Sequence, residues 1–198
     1  MKAGLSVLLV WALGAAVALG AEVGAPAPSF TLPDTNGKTH SLSDFAGQIV
    51  VLEWINVDCP FVKKHYGAGN MQALQSRYGQ QGVAWLAVCS SAPGKQGHYT
   101  AAEWKPLIES TRNQATAVLL DPAGEVGRLY DAKTTPHMYV IDGEGTLVYA
   151  GAIDSNRSHD PATIADAENY VAAVVDALLA GEPVPHSQTK PYGCSVKY

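Results

Sequence analysis

The residues best placed to do chemistry lie in Val51-Leu52-Glu53-Trp54-Ile55-Asn56-Val57-Asp58-Cys59-Pro60-Phe61-Val62-Lys63-Lys64-His65, where an apolar run gives way to a helical pattern at a cysteine. A thiol at such a junction meets the unpaired N–H groups of the first helical turn and the positive end of the helix dipole, and both favour thiolate over thiol. Pro60 suits the first helical position, where its missing N–H costs nothing, so Cys59 is expected to be the N-cap. The thiolate is the nucleophilic form, and its targets would be a peroxide or a disulfide. The competing interpretation is a buried, inert cysteine.

Other residues could serve that sulfur. Glu53 stands in the apolar run, where a buried charge is costly; its pKa should rise, and it could carry protons to or from Cys59, unless it reaches solvent at the strand end. Lys63, Lys64 and His65 either add positive potential near the thiolate or face water, and Asp58 opposes them. Cys194 lies 135 residues beyond Cys59 in a tail without a packing pattern. It reads as a resolving thiol, reaching back or across to a second subunit. Equally, a Cys59–Cys194 bond could staple the tail, contributing roughly 4–5 kcal/mol in the chain-entropy model. Cys89, at the end of a second buried strand, is a rival partner or a small buried hydrophobe. His137 follows Pro136, and strand alternation points it away from whatever Thr135 faces.

The elements that must position these groups can be read from periodicity and turn residues. Phe30-Thr31-Leu32 and Lys38 to Leu42 flank Asp34-Thr35-Asn36-Gly37 as a small hairpin. Ile49–Val57 and Val83–Val88 read as strands buried on both faces. The helix after Cys59 should run to about Tyr78, with Gly67 and Gly69 weakening its middle. A helix over Ala101–Thr111, a strand over Ala117–Leu120 and a short helix over Gly124–Tyr130 follow. Met138–Ile141 and Thr146–Tyr149 form a hairpin. A last amphipathic helix carries Val171, Val174, Val175, Leu178 and Leu179 on one face and ends at Gly181. Strands alternating with helices, closed by a hairpin and a helix, give an α/β layer structure with a mixed sheet. In such sheets working residues gather at the carboxyl ends of parallel strands, where Cys59 and Cys89 both fall.

The chain opens with Lys2, an apolar run from Leu5 to Leu19, and the small residues Gly20 and Ala21, the pattern of a signal peptide cleaved after Ala21. The run is short for a membrane span, so a mature form without a membrane anchor is expected, and a secreted or periplasmic protein with it. Cleavage would leave 177 residues with a formal charge of −6. No basic run survives, which argues against nucleic acid or an anionic membrane as partner. Three cysteines in an oxidising compartment are too few for a disulfide scaffold and suggest one pair plus a spare, or one reactive thiol.

In this order, the residues resemble the thioredoxin-fold superfamily. The strand running into a helix-opening cysteine carries the resemblance, with Glu53 six residues upstream and Thr134-Thr135-Pro136 before the closing hairpin and helix. The N-terminal hairpin resembles the redoxin branch related to peroxiredoxins. Asp58 to His65 together with Gly193-Cys194-Ser195-Val196-Lys197 resembles the exported peroxiredoxin-like family of alkyl hydroperoxide reductase/thiol-specific antioxidant type. The resemblance implies a thioredoxin-like mixed sheet flanked by helices with an N-terminal hairpin extension. It implies a cis Pro136 beside the reactive cysteine, and Thr135 and Pro136 positioning the substrate backbone. The domain plan is then a signal peptide at 1–21, a redoxin domain at 22–181 and a tail at 182–198.

The departures bear on function. Val62 stands where a Cys-x-x-Cys site has its second thiol, and Leu52 and Asn56 occupy the proline and threonine positions of the peroxiredoxin motif. Lys63 stands where copper-binding relatives place a second cysteine, so a metal site at Cys59 finds no support in spacing. Asp154 to Asp160 only begins like a calcium loop. No cofactor is expected. The sequence therefore points to an exported thiol oxidoreductase in which Cys59 attacks a peroxide or a protein disulfide. Cys194 would resolve the product, Glu53 manage protons, and an external thiol restore the enzyme. The alternatives are a disulfide reductase or isomerase, and a non-catalytic module binding metal or a partner.

Overall fold

The computed structural model describes residues 20–198. The stretch read as a signal peptide lies outside the described residues up to position 19. Five strands form the central sheet: β3 (Val50–Trp54), β4 (Ala84–Cys89), β5 (Ala117–Leu120), β7 (His137–Ile141) and β8 (Leu147–Gly151). Their order is β5-β4-β3-β7-β8, with β3, β4 and β5 parallel and β7 and β8 antiparallel to their neighbours. Every residue of β3 and β4 is buried, as their unbroken apolar character requires of strands covered on both faces.

Alternation along β3 divides the core. Val51 and Ile55 face Met71 and Tyr78 of α2 (Asn70–Gly79), Trp104 of α3 (Ala101–Thr111) and Val174 of α5 (Tyr170–Ala180). Val50, Leu52 and Trp54 face Val126 of α4 (Glu125–Leu129) and Phe30 and Leu32 beside the hairpin β1 (Thr31–Pro33) and β2 (Thr39–Ser41). The mixed sheet, the flanking helices and the N-terminal hairpin agree with the expected layer structure. Among the described residues, no helix is long and apolar enough to cross a membrane.

Two differences from the expected element boundaries bear on the site. β3 stops at Trp54 rather than Val57, because the Asn56 carboxamide oxygen accepts the Asp58 N–H at 2.9 Å and the Asn56 carbonyl accepts the Cys59 N–H at 3.0 Å. That turn sets the N-cap residue at the mouth of α1 (Pro60–Gly67). The helix expected to reach Tyr78 is two helices, since Gly69 takes a left-handed conformation and opens α2.

The tail after Gly181 is not a loose appendage. The Thr189 hydroxyl bonds the Tyr149 hydroxyl at 2.6 Å and accepts the Ala152 N–H at 2.9 Å, and Tyr192 is buried. β9 (Cys194–Ser195) then pairs antiparallel with β6 (Thr134–Thr135). Beyond it the Tyr198 hydroxyl donates to the Ala132 carbonyl at 2.8 Å, with the Arg128 guanidinium 4.6 Å from its ring centre. The absence of periodicity in this segment reflects backbone pairing and isolated aromatic anchors, which leave no repeat in a sequence.

Candidate active site

Cys59 is the N-cap of α1, with Pro60 at the first helical position, and its side chain is 0% exposed. Its thiol donates to the Thr135 carbonyl at 3.0 Å. The Thr135–Pro136 peptide is cis, and in the β6–β9 register Thr135 lies opposite Cys194. Cys59 and Cys194 are thus brought together across β6, both as free thiols. Burial raises the Cys59 pKa, but hydrogen bonds from the Cys194 thiol, the Val62 N–H and the Cys194 N–H outweigh it, and the pKa falls below the ordinary thiol value. The Cys194 thiol moves oppositely, up to about 11, through burial and then its position as donor to Cys59. The two shifts run in opposite directions: Cys59 is drawn toward thiolate while Cys194 holds its hydrogen. The Thr135 hydroxyl is buried without a hydrogen-bond partner beside the neutral thiol, and it too favours a Cys59 thiolate.

Glu53 is fully buried on β3. Its Oε2 accepts hydrogen bonds from Trp85 Nε1 at 2.8 Å, the Tyr66 hydroxyl at 3.2 Å and Gln75 Nε2 at 3.2 Å, while Oε1 has no partner. Burial lifts its pKa to about 7 against the opposing hydrogen bonds from Trp85, Tyr66 and Gln75. The alternative of a strand-end glutamate in solvent is therefore overturned. Among the described residues, none of its hydrogen bonds reaches Cys59 or Cys194, so any proton it exchanges with them must pass through an intermediary.

The basic triplet departs from the expectation that its long side chains face water or bias the sulfur. Only Lys63 is exposed. Lys64 is buried with its ammonium 3.5 Å from Asp154 Oδ2 and donating to the Asn156 carbonyl at 3.1 Å. Asp154 also accepts the Tyr192 hydroxyl, whose oxygen lies 3.2 Å from His65 Nε2, and Asn70 Nδ2 lies 2.9 Å from His65 Nδ1. With Tyr192 donating to the carboxylate, His65 donates through Nε2 and accepts through Nδ1. Desolvation holds this imidazole down to about 4, so it is neutral at physiological pH. The network serves position: it moors Tyr192, two residues before Cys194, against α1. It also commits Asp154, the first oxygen of the supposed calcium loop, to an ammonium.

Cys89 is not a partner for Cys59; it donates to the Gly97 carbonyl at 3.3 Å, and burial raises its pKa. We expect iodoacetamide at mildly alkaline pH to leave Cys89 unmodified in the native protein and to label it on unfolding; labelling at the rate of a free thiol in native conditions would contradict this placement. His137 is buried on the other side of the sheet, its Nδ1 2.9 Å from the Tyr139 hydroxyl, and desolvation lowers its pKa to about 4. It is turned away from the sulfurs; residues two apart in one strand would share a face, so this orientation comes from the break between β6 and β7 at Pro136 and not from alternation. Sequence reasoning missed Tyr192 and gave Gly193 no role beyond its place in the tail motif; the one available signal was an aromatic residue and a glycine directly ahead of a cysteine in a polar tail.

Comparison with known proteins matches residues 23–150 to the model of the AhpC/TSA family. The chain belongs to the AhpC/TSA family. A curated relative, thiol-disulfide oxidoreductase ResA of Bacillus subtilis (strain 168), is 29% identical over 172 residues, 81% of this chain and 89% of that protein. Among solved structures, an uncharacterized conserved protein from Geobacillus kaustophilus is 30% identical with a TM-score of 0.77, covering 89% of this chain and 92% of that one. A hypothetical protein from Sinorhizobium meliloti 1021 is 26% identical with a TM-score of 0.75, over 89% and 94% of the two chains. This AhpC/TSA protein is a thioredoxin-fold redoxin. On α1 Val62 takes the place of a second cysteine, and the thiol that lies opposite Thr135 belongs to β9.

Proposed function

We propose that the protein is a thiol-disulfide oxidoreductase, acting after export, that cycles between a Cys59/Cys194 dithiol and a Cys59–Cys194 disulfide. The observation carrying this reading is the β6–β9 register, which sets Cys194 opposite Thr135, the residue whose carbonyl receives the Cys59 thiol. The likeness to a protein named thiol-disulfide oxidoreductase ResA supports it. The Cys59 thiolate attacks one sulfur of a protein disulfide; a Cys59–substrate bond forms, and the other substrate sulfur leaves as a thiolate that takes a proton. Cys194 then loses its proton and attacks the Cys59 sulfur, expelling the second substrate thiolate. The substrate gains two electrons, and an external thiol reductant returns them to the enzyme. Glu53, half-protonated near neutral pH, is the nearest buried carboxyl on the strand leading to Cys59, and we assign it the handling of these protons.

One observation favours a second reading. Cys59 is fully covered, which admits a small peroxide more readily than a polypeptide. In that case the thiolate takes one peroxide oxygen, water or an alcohol leaves, and Cys194 attacks the sulfenic acid, expelling water. Two measurements on the mature protein with dithiothreitol separate the readings: insulin reduction and peroxide consumption. Disulfide exchange predicts insulin reduction well above the dithiothreitol background with peroxide loss near it. The reverse pattern establishes the peroxidase, and background rates in both sink the enzyme reading.

A further inference from the structure

β6 forms one wall of the reactive sulfur, and a strand has already been added to its edge. That strand is the chain's own: Cys194 pairs with Thr135 and Ser195 with Thr134. Pairing of an extended segment with a free strand edge is a general way for proteins to bind polypeptides, with the backbone giving affinity and side-chain space giving selectivity. Here the selectivity can be read from Gly193. Its φ is 136°, and a Cβ placed on it would lie 2.1 Å from the Thr135 carbonyl oxygen and 3.3 Å from the Pro136 nitrogen. Both neighbours are backbone, and the Thr135 oxygen also receives the Cys59 thiol, so the wall cannot easily give way. Only a residue without a side chain fits ahead of a cysteine at this edge.

The segment is short and held close to the surface, with the Arg128 guanidinium against the Tyr198 ring at its end. Beyond the pair, it is fastened by the Val196 N–H to the Lys133 carbonyl at 3.1 Å, the Ala92 N–H to the Lys197 carbonyl at 2.7 Å and the Tyr198 hydroxyl. Ser195 is exposed, and Cys194, Val196, Lys197 and Tyr198 are half-buried. The firm mooring, at Tyr192, lies before Gly193. While the segment stays in place Cys59 is covered, so a polypeptide cannot reach it.

We propose that β9 is an internal substitute for substrate: an extended polypeptide with a glycine directly before its disulfide cysteine displaces residues 193–198 from β6 and presents its sulfur to Cys59 where Cys194 now sits. The proposal rests on the thiol-disulfide reading and names its substrate class. The step is one exchange. The Cys59 thiolate bonds to the peptide sulfur, the peptide's disulfide breaks, and the displaced sulfur leaves as a thiolate.

The probe is a peptide of residues 190–198 whose cysteine carries thionitrobenzoate, compared with the same peptide bearing alanine in place of its glycine. The protein is the full chain with Cys194→Ser, which keeps the strap and removes the internal thiol. Release of coloured thionitrobenzoate gives the rate, and peptide mapping confirms attachment to Cys59. The glycine peptide should react about tenfold or more faster than the alanine peptide, the factor expected for forcing a side chain into this backbone. Adding Gly193→Val, which expels the strap, should raise the rate with the small symmetric reagent dithiobis(nitrobenzoate) by a similar factor. Equal rates for the two peptides on a Cys59 that reacts with the small reagent overturn this inference alone. A Cys59 that fails to react with the small reagent, with or without Gly193→Val, overturns the thiol-disulfide reading and this inference with it.

Discussion

Cys59→Ser is expected to lower disulfide turnover by at least about 10³-fold, whereas Cys194→Ser should preserve the first chemical step and stop the second. The asymmetry follows from the opposite pKa shifts of the two sulfurs. Burial is outweighed at Cys59 by donors from Cys194 and Val62, which shift it toward thiolate and make it the nucleophile of the proposed cycle. Cys194, held up at about 11, is ionised only to about one part in 10⁴ at pH 7 and is a poor first attacker. The same difference orients the return step. In a Cys59–Cys194 disulfide, Cys59 is the better leaving group and Cys194 the more exposed sulfur, so an external thiolate attacks Cys194 and releases Cys59. Mixing each variant with a model protein disulfide and resolving the products by mass spectrometry checks this. Cys194→Ser should accumulate a substrate adduct on Cys59, and Cys59→Ser should form none. Multiple turnovers at the wild-type rate by Cys194→Ser would remove Cys194 from the mechanism.

What could be read beforehand, and what could not, follows the range of the interactions. The junction of β3 with α1 was legible because its signals are local: a continuous apolar run, a cysteine and a proline at the first helical position. Glu53 was legible as a buried acid, since an acidic residue inside such a run has nowhere else to go. The three donors that satisfy one of its oxygens come from α1, α2 and β4, and no local pattern announces them. Ile55 and Val57 extended the strand on paper because they are apolar, yet the Asn56 side chain closes a turn that hydrophobicity does not register. The burial of Lys64 and His65 is hidden in the sequence for a related reason. A buried ammonium requires a partner, and that partner, Asp154, lies 90 residues away in the chain. The largest gap was the tail. Cys194 was recognised as a thiol in need of a destination, but its seat depends on Gly193 clearing the Thr135 carbonyl and on Tyr192 reaching the Lys64–Asp154–His65 network.

Glu53→Gln should flatten the pH dependence of stability. Both oxygens of Glu53 are out of water and one lacks any donor, so the protonated acid is favoured in the fold and its pKa is raised from the ordinary 4.5 to about 7. A raised folded-state pKa contributes stability that is fully present below the unfolded pKa and is lost as pH climbs through the folded one. The unfolded chain releases its proton near pH 4.5, the folded chain only near 7, and between those values the native state binds more protons. The wild-type protein should therefore lose about 3 kcal/mol from this residue across that window, with little further change above it. For a chain of this size that corresponds to a fall of roughly 6–12 °C in Tm. Glutamine keeps an acceptor for Trp85, Tyr66 and Gln75 and carries no charge in either state, so its Tm should vary much less over the same range. Thermal unfolding of the two proteins followed by circular dichroism at several pH values provides the comparison. Parallel curves would mean that Glu53 is already ionised in the fold, and the proton store assigned to it beneath Cys59 would be lost with it. The same substitution bears on mechanism through the pH profile of disulfide reduction. A proton-handling Glu53 gives a wild-type profile that turns near pH 7, and glutamine should remove that turn while leaving the alkylation rate of Cys59 close to the wild-type value.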